Sequence, residues 1–372
     1  MRVLHAAFAN LPSPGIVKQM HWEMLSVADG HLDWSVFLYC AKVSRVSEGY
    51  GFIELYTPGS ALERSVKLLY WLRFRWVYYK RLGQLSKDFD AVLLRYSPYD
   101  LLQALFVSRS ATPVYLVHHT LEVNELEDGR GVRGWVLARL EELIGRLALR
   151  RACGLIGVTE EIADYENQRA GGGRKTFVYP NGMMVEVAEV EDQRGDVPEL
   201  LFVASSFVPW HGLDLIVDEF RRLESSFRLH LVGHIPAGLQ ERIGDDSRFV
   251  CHGVLDAEGI ARLTQVCWVG LSSFALFRKG MREACTLKVR EYLASGLPVY
   301  SGHADVFPAD FPFYRHGEAN AAAILDYARE CRAVRRADVV EAAMPYIDKR
   351  RLVARFFGEI ETDLRSRVRC ET

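Results

Sequence analysis

The 372-residue sequence has no C-x-x-C pair, no zinc-ligand spacing and no Walker A phosphate loop, which removes zinc modules, thioredoxin-like redox sites and P-loop nucleotide hydrolysis from consideration. Its seven cysteines (Cys40, Cys153, Cys251, Cys267, Cys285, Cys331 and Cys370) are scattered, mostly in apolar surroundings, as expected of buried thiols in a reducing cytoplasm. No uninterrupted apolar run approaches 18 residues, so no membrane span is expected. The N-terminus MRVLHAAF enters a strand pattern at once and does not read as a signal peptide. With a formal net charge of -2 there is no global basic excess of the kind nucleic-acid binding requires. Asn-x-Ser/Thr is also absent.

What is present is an ordinary globular composition, 49% hydrophobic and 25% charged, in a chain long enough for two cores. Short apolar runs alternate with helical patterns in both halves. RVLHAAF (2–8), WSVFLYC (34–40), DAVLLRY (90–96), TPVYLVHH (112–119), GLIGVTE (154–160) and KTFVYP (175–180) read as strands of a first parallel sheet. A second series follows in ELLFVASS (199–206), RLHLVG (228–233), FVCHG (249–253) and WVGLSSF (268–274). The acidic stretch at 183–198 reads as the linker between domains 1–182 and 199–347, and 348–372 as a closing amphipathic helix.

The stretch Arg282–Gly302, REACTLKVREYLASGLPVYSG, carries the strongest chemical signal. Leu287, Val289, Tyr292 and Leu293 give a helix one buried face, Gly296 caps it, and LPVY reads as a buried strand. Glu283 and Glu291 then bracket a helix N-terminus, a natural seat for phosphate, where their carboxylates accept hydrogen bonds from hydroxyl groups on either side. This Glu-x7-Glu pattern followed by YLASGLPV resembles the donor-binding motif of retaining glycosyltransferases of the GT-B fold, in the bacterial family 4 group. Phe202–Phe220 is similar to that family's first turn of the C-terminal domain, and YPNGM (Tyr179–Met183) to its inter-domain hinge.

The resemblance implies two Rossmann-like parallel-sheet domains facing across a cleft, the last helix crossing back to the N-terminal domain. It implies sugar transfer with retention from a nucleotide-diphosphate sugar, a donor substrate, to a carbohydrate or lipid-linked saccharide, with no cofactor and no metal. His118, at the end of VYLVHH, takes the role of the family's donor-facing histidine, with His119 as the alternative if the register slips. Glu283 and Lys288 complete the catalytic set, Lys288 neutralising the leaving phosphate. Ser206 and His211 stand where the family carries an Arg and a Lys. His211 is expected to donate a hydrogen bond, better below neutrality. Arg278, Lys279 and Arg282 are reserve cations, Thr286, Leu287 and Glu291 nucleotide contacts, and Gly15 a point of close backbone approach. Arg95, Tyr96, Glu122 and Glu125 are acceptor-side candidates.

Two motifs point elsewhere and are set aside. Asp88-Phe89-Asp90 has the D-x-D form of metal-dependent transferases but precedes its strand. Gly171–Gly173 opens no helix. The basic, aromatic segment 62–85 reads either as a helix on an anionic membrane surface or as a helix packed on the sheet, making the protein cytoplasmic with a peripheral membrane option. A nucleotide-sugar 2-epimerase of the same fold and an inert nucleotide-sugar-binding partner of another transferase are the competing readings.

Overall fold

The computed structural model describes residues 1–42, 49–60, 63, 65–127, 131–186 and 191–371, with side chains as far as 367. The chain divides into two compact units, Met1–Pro180 with Lys349–Thr372, and Asn181–Asp348.

The first unit is built on seven parallel strands: β1 (Val3–Ala9), β2 (Trp34–Cys40), β3 (Ile53–Leu55), β4 (Ala91–Arg95), β5 (Val114–His118), β6 (Gly154–Gly157) and β7 (Thr176–Val178). Their order is β3-β2-β1-β4-β5-β6-β7. The chain winds outward from β1 to β3, then returns to place β4 on the other side of β1, pairing Val3 with both Trp34 and Ala91. β1 and β4 therefore flank the topological switch point, where open α/β sheets bind ligands at the strands' carboxyl ends.

Central strands buried on both faces read as continuous apolar runs, which is why β1, β4 and β5 were legible. On one face, Leu4, Ala6, Val92, Leu94 and Leu116 pack under Phe74, Tyr78, Ala104, Val107, Ala148 and Leu149 from three helices, Lys67–Leu85, Leu101–Arg109 and Gly131–Arg151. On the other, Leu352, Val353, Phe356 and Ile360 of the closing helix Lys349–Glu371 pack on Val3, Trp34, Tyr115 and Phe177. Each such valine, leucine, isoleucine or phenylalanine side chain taken out of water stabilises by about 1.5–3 kcal/mol.

The segment expected at 62–85 is partly core. Residues 61, 62 and 64 lie outside the described residues. Phe74, Tyr78 and Tyr79 are buried, and Arg75 is buried beside Asp100 at 3.0 Å. Among its described large apolar side chains, Val66, Leu68, Leu69, Leu72 and Trp76 are exposed.

The second unit has six parallel strands, β8 (Glu199–Ser206), β9 (Arg228–His234), β10 (Phe249–Gly253), β11 (Val269–Leu271), β12 (Val299–Ser301) and β13 (Tyr314–His316), in the order β10-β9-β8-β11-β12-β13. Its switch point lies between β8 and β11. The segment expected as a linker is tied down where described. Val185 is core, and Arg194 donates to the carbonyls of Cys331 (2.9 Å) and Val334 (2.7 Å). β3 and β13, which the sequence pattern did not reveal, are three-residue edge strands with no fully buried side chain. They carry no apolar run to detect.

Candidate functional site

At the second unit's switch point, two loops leave the carboxyl ends of β8 and β11 and bond to each other. Phe274 N–H donates to the His211 carbonyl at 2.9 Å, and Ala275 N–H to that of Trp210 at 3.3 Å. Gly212 permits this approach: its φ is +71°, and a Cβ there would lie 2.9 Å from both Ala275 N and Phe274 Cβ. The loop after β11 then runs into helix Leu287–Ala294, whose N-terminal N–H groups favour an anion.

Lys288 lies in the first turn of that helix. Its Nζ is buried with no hydrogen-bond partner among the described residues, 5.4 Å from the centre of the Phe202 ring. Burial holds this amine down to about 8. The hydroxyls of Thr286 and Ser273 are likewise buried and unpaired, and Thr286 occupies the N-cap position without making a capping bond. A buried cation and two buried hydroxyls without partners are costly unless a ligand completes them.

His211 is buried, and its Nδ1 accepts the Val208 N–H at 3.1 Å, which leaves Nε2 protonated as a neutral donor. Burial, with Lys288 and Lys279 nearby, pushes it down to about 3. The expectation that His211 donates better below neutrality is thus corrected: the ring stays neutral through the physiological range and needs no charge to donate.

Ser206 is exposed at the end of β8, and the Lys279 Nζ lies 5.4 Å from the Trp210 ring centre. Glu283 is in the loop before the helix, bridged to Ala304, with exposed Arg282 beside it, while Leu287 starts the helix and Glu291 follows Lys288 by three positions on the same face. Arg278, expected as a reserve cation, is committed elsewhere: it grips both oxygens of Asp214 at 3.0 and 2.7 Å and donates to the Pro209 carbonyl at 2.6 Å. Gly15 lies in the first turn of helix Pro14–Gly30, and a Cβ there would meet nothing within 4 Å, so local packing does not demand glycine.

In the first unit, the ends of β4 and β5 form a cavity of about 310 Å³ lined by Arg95, Tyr96, Tyr99, His119, Glu122 and Glu125, among others. The four acceptor-side candidates therefore share one cavity. His118 does not line it. Neighbouring strand residues point to opposite faces, and His118 is fully buried, stacked on Tyr96 at 4.4 Å with Nδ1 3.1 Å from Glu122 Oε1. The register alternative, His119, lines the cavity, and its Nε2 accepts from Arg95 Nη1 at 3.0 Å.

Behind the cavity is a buried polar cluster the sequence pattern did not reveal. Tyr96 donates to Glu141 at 2.6 Å, and Arg169 grips Glu166 at 2.9 and 2.7 Å and also reaches Glu141. Burial pushes the carboxyls of Glu122 and Glu166 up, to about 7 and about 8, and the His118 imidazole down to about 4. His118, Glu122 and Glu166 place three ligand atoms within 4.8 Å of one another, a spacing that suits a metal ion. The Arg169 guanidinium already supplies the positive charge on Glu166.

The D-x-D carboxylate of Asp90 accepts the Arg2 backbone N–H at 2.6 Å, ahead of β4 and at the opposite end from the cavity. The sequence also contains G-x-G-x-x-G at 129–134. It follows helix Glu122–Glu127 and no strand, so the dinucleotide-binding context is missing.

No family model and no curated protein matches the sequence. Solved structures do match. The lipopolysaccharide outer core galactosyltransferase WaaB, in its apo form, superposes with a TM-score of 0.63 at 12% identity, covering 97% of this chain and 99% of that one. Anabaena Alr3699/HepE in complex with UDP gives 0.66 at 15% identity, covering 97% and 100%. The chain has the GT-B fold. A third GT-B-like match is a UDP-N-acetylglucosamine 2-epimerase, described as putative, from Listeria monocytogenes, with a TM-score of 0.56 at 14% identity and coverage of 98% and 97%. Among the described residues, no helix is long and apolar enough to cross a membrane.

Proposed function

We propose that the protein is a retaining glycosyltransferase of the family 4 kind, moving a hexosyl group from a nucleotide-diphosphate sugar to a carbohydrate or lipid-linked saccharide without a metal ion or other cofactor in the transfer step. The observation that carries this reading is the Lys288 amine, buried without a hydrogen-bond partner among the described residues in the first turn of helix Leu287–Ala294, with the Thr286 and Ser273 hydroxyls likewise unpaired. A diphosphate fits all three. It would meet helix N–H groups, a cation and two hydroxyl donors, with neutral His211 supplying one more, while Glu283 and Glu291 accept from sugar and ribose hydroxyls.

Leaving-group stabilisation is the main demand of the chemistry, and Lys288 is placed to meet it. The developing phosphate charge raises the amine's affinity for its proton, so the ammonium is held most firmly when charge is greatest. The leaving phosphate itself can accept the acceptor hydroxyl's proton. His119, Glu122 and Glu125 would bind acceptor hydroxyls in the first unit's cavity. HepE structures containing UDP and UDP-glucose support a uridine donor here.

A second reading, nucleotide-sugar 2-epimerisation, draws on Glu122 and Glu125 lining one cavity, since that chemistry needs carboxylates to move a proton at carbon. Calorimetric titration with UDP and UDP-glucose tests the donor site, and Lys288→Met must weaken it. Product analysis separates the readings: slow release of free sugar with retained configuration supports transfer, and a 2-epimer supports the alternative. Binding without any turnover in the presence of glycolipid extracts would leave a non-catalytic binding partner.

A further inference from the structure

Helix Gly131–Arg151 is apolar on the wrong side for a solvent-facing helix. Its buried positions are Gly134, Ala138, Glu141, Gly145, Ala148 and Leu149, with Leu149 the one large apolar side chain among them. Val132, Val136, Leu140, Leu143 and Leu147, spaced by four, four, three and four residues, form one stripe on the opposite face. All five are exposed, Val132 by 82% and Leu143 by 69%. The stripe runs for about 22 Å. Trp135 is exposed beside it, with the Arg139 guanidinium 5.8 Å from its ring centre.

The stripe belongs to a larger face. Helix Leu101–Arg109 packs against both Gly131–Arg151 and Lys67–Leu85, and all three lie over the same side of the sheet. Leu101 and Leu105 are exposed on the middle helix, and Leu68, Leu72 and Trp76 on the third. Trp76 and Leu105 line one cavity of about 600 Å³ that also takes in Lys80, Lys87 and Arg109.

Charge identifies the occupant. Helices Lys67–Leu85 and Leu101–Arg109 contain no Asp or Glu, and Gly131–Arg151 contains only Glu141, which is buried, and Glu142, which Arg139 engages at 2.6 Å. The rim of the apolar stripe carries Arg133, Arg146, Arg150 and Arg151, while Arg139 is neutralised by Glu142 and by Glu127 at 3.0 Å. A second copy of this chain, meeting the face about a two-fold axis, would set these cations against themselves. An anionic lipid surface accepts the leucines among its acyl chains and the arginines on its phosphates.

We propose that this three-helix face, centred on the 131–151 stripe, docks the protein on an anionic bilayer. The proposal does not depend on the transferase reading.

Co-sedimentation of the full chain with vesicles tests it. Vesicles of equal parts phosphatidylglycerol and phosphatidylcholine should pellet the protein, phosphatidylcholine alone should not, and added salt should weaken the binding. The variant carrying Leu143→Glu and Leu147→Glu should bind at least about tenfold more weakly, as expected of losing two inserted side chains. Both positions are exposed, so its melting temperature should match the parent's. Equal binding to both vesicle types, no binding to either, or undiminished binding by the variant would each overturn the proposal. So would light scattering that shows a dimer which the double variant splits, since the face would then pair copies of this chain.

Discussion

Arg290 and Asp305 meet through two parallel bonds, Nη1 to Oδ2 at 2.5 Å and Nη2 to Oδ1 at 2.6 Å, with neither side chain exposed. The same guanidinium donates through Nε to the Asn181 carbonyl at 3.1 Å and through Nη1 to that of Thr286 at 3.3 Å. One residue therefore ties the first turn of helix Leu287–Ala294 to the loop after β12 and to the YPNGM segment. Asn181 replies through its side chain, donating to the Cys285 carbonyl at 2.7 Å. The position of Lys288 is set by this lattice.

Removing one partner of a buried pair strands the other charge. Arg290→Met should destabilise the second unit by about 3–5 kcal/mol. Replacing both, Arg290→Met with Asp305→Leu, should recover much of that loss in thermal unfolding. Equal melting of the two variants would show that Asp305 finds another partner.

Lys288→Met should do the opposite to stability. The folded amine titrates near 8 because burial disfavours its charge, below the unfolded value, so the group's contribution to stability is present above the unfolded pKa and is lost as pH falls through about 8. At neutral pH the charged, buried amine is a liability, and an apolar replacement should melt no lower than the parent. UDP-glucose affinity should fall by about 2 kcal/mol, the worth of a charged hydrogen bond. In the parent, affinity should decline as pH rises past about 8, and calorimetry across that range should show no decline in the variant.

The architecture was legible because buried parallel strands announce themselves as apolar runs and helices by period, and the motif from Arg282 to Gly302 kept both its helix and its buried strand. Side-chain direction was less accessible. His118 and His119 differ by one position, and β5 ends between them: His118 is the strand's last, fully buried residue, and His119 lines the cavity. Arg278 looked like a phosphate ligand because Asp214, which holds it, is 64 positions away. The cluster of Tyr96, His118, Glu122, Glu141, Glu166 and Arg169 was invisible for the same reason: its members come from one strand end or another and from three helices. Arg290 sat in plain view two positions after Lys288, and Asp305, which holds it, is 15 positions away.

Gly233 admits no side chain. Its φ is +125°, and a Cβ there would stand 1.6 Å from the Ala204 carbonyl oxygen, where β8 breaks register between Val203 and Ser206. That irregularity leaves Ala204 and Ser205 out of the ladder before Ser206 pairs again with His234, just ahead of the loop to His211. Gly233→Ala should cost about 3 kcal/mol or more, since backbone must move. A soluble variant with parental melting would mean that the bulge relaxes without loss.

The cluster behind the first unit's cavity makes stability depend on pH in two opposed windows. Glu122, raised from 4.5 to about 7, stabilises the folded state fully below its unfolded pKa and loses that contribution as pH rises through about 7. His118, lowered from 6.5 to about 4, contributes above 6.5 and loses it as pH falls through about 4. Between about 4.5 and 6.5 the two slopes oppose each other, so the melting temperature of the parent should change little there and fall at higher pH. Glu122→Gln keeps the shape and one acceptor without the charge. It should leave the His118 rise between about pH 4.5 and 6.5 unopposed and remove Glu122's share of the decline above it, a difference on the order of 3 kcal/mol accumulated by about pH 7. Glu166 is raised as well, to about 8, but Arg169 grips both its oxygens, so Glu166→Gln should lower stability throughout instead of flattening the profile. Melting curves of the two variants across that range distinguish a proton held by Glu122 from one held by its neighbour: if Glu166→Gln alone flattens the profile, the proton belongs to Glu166.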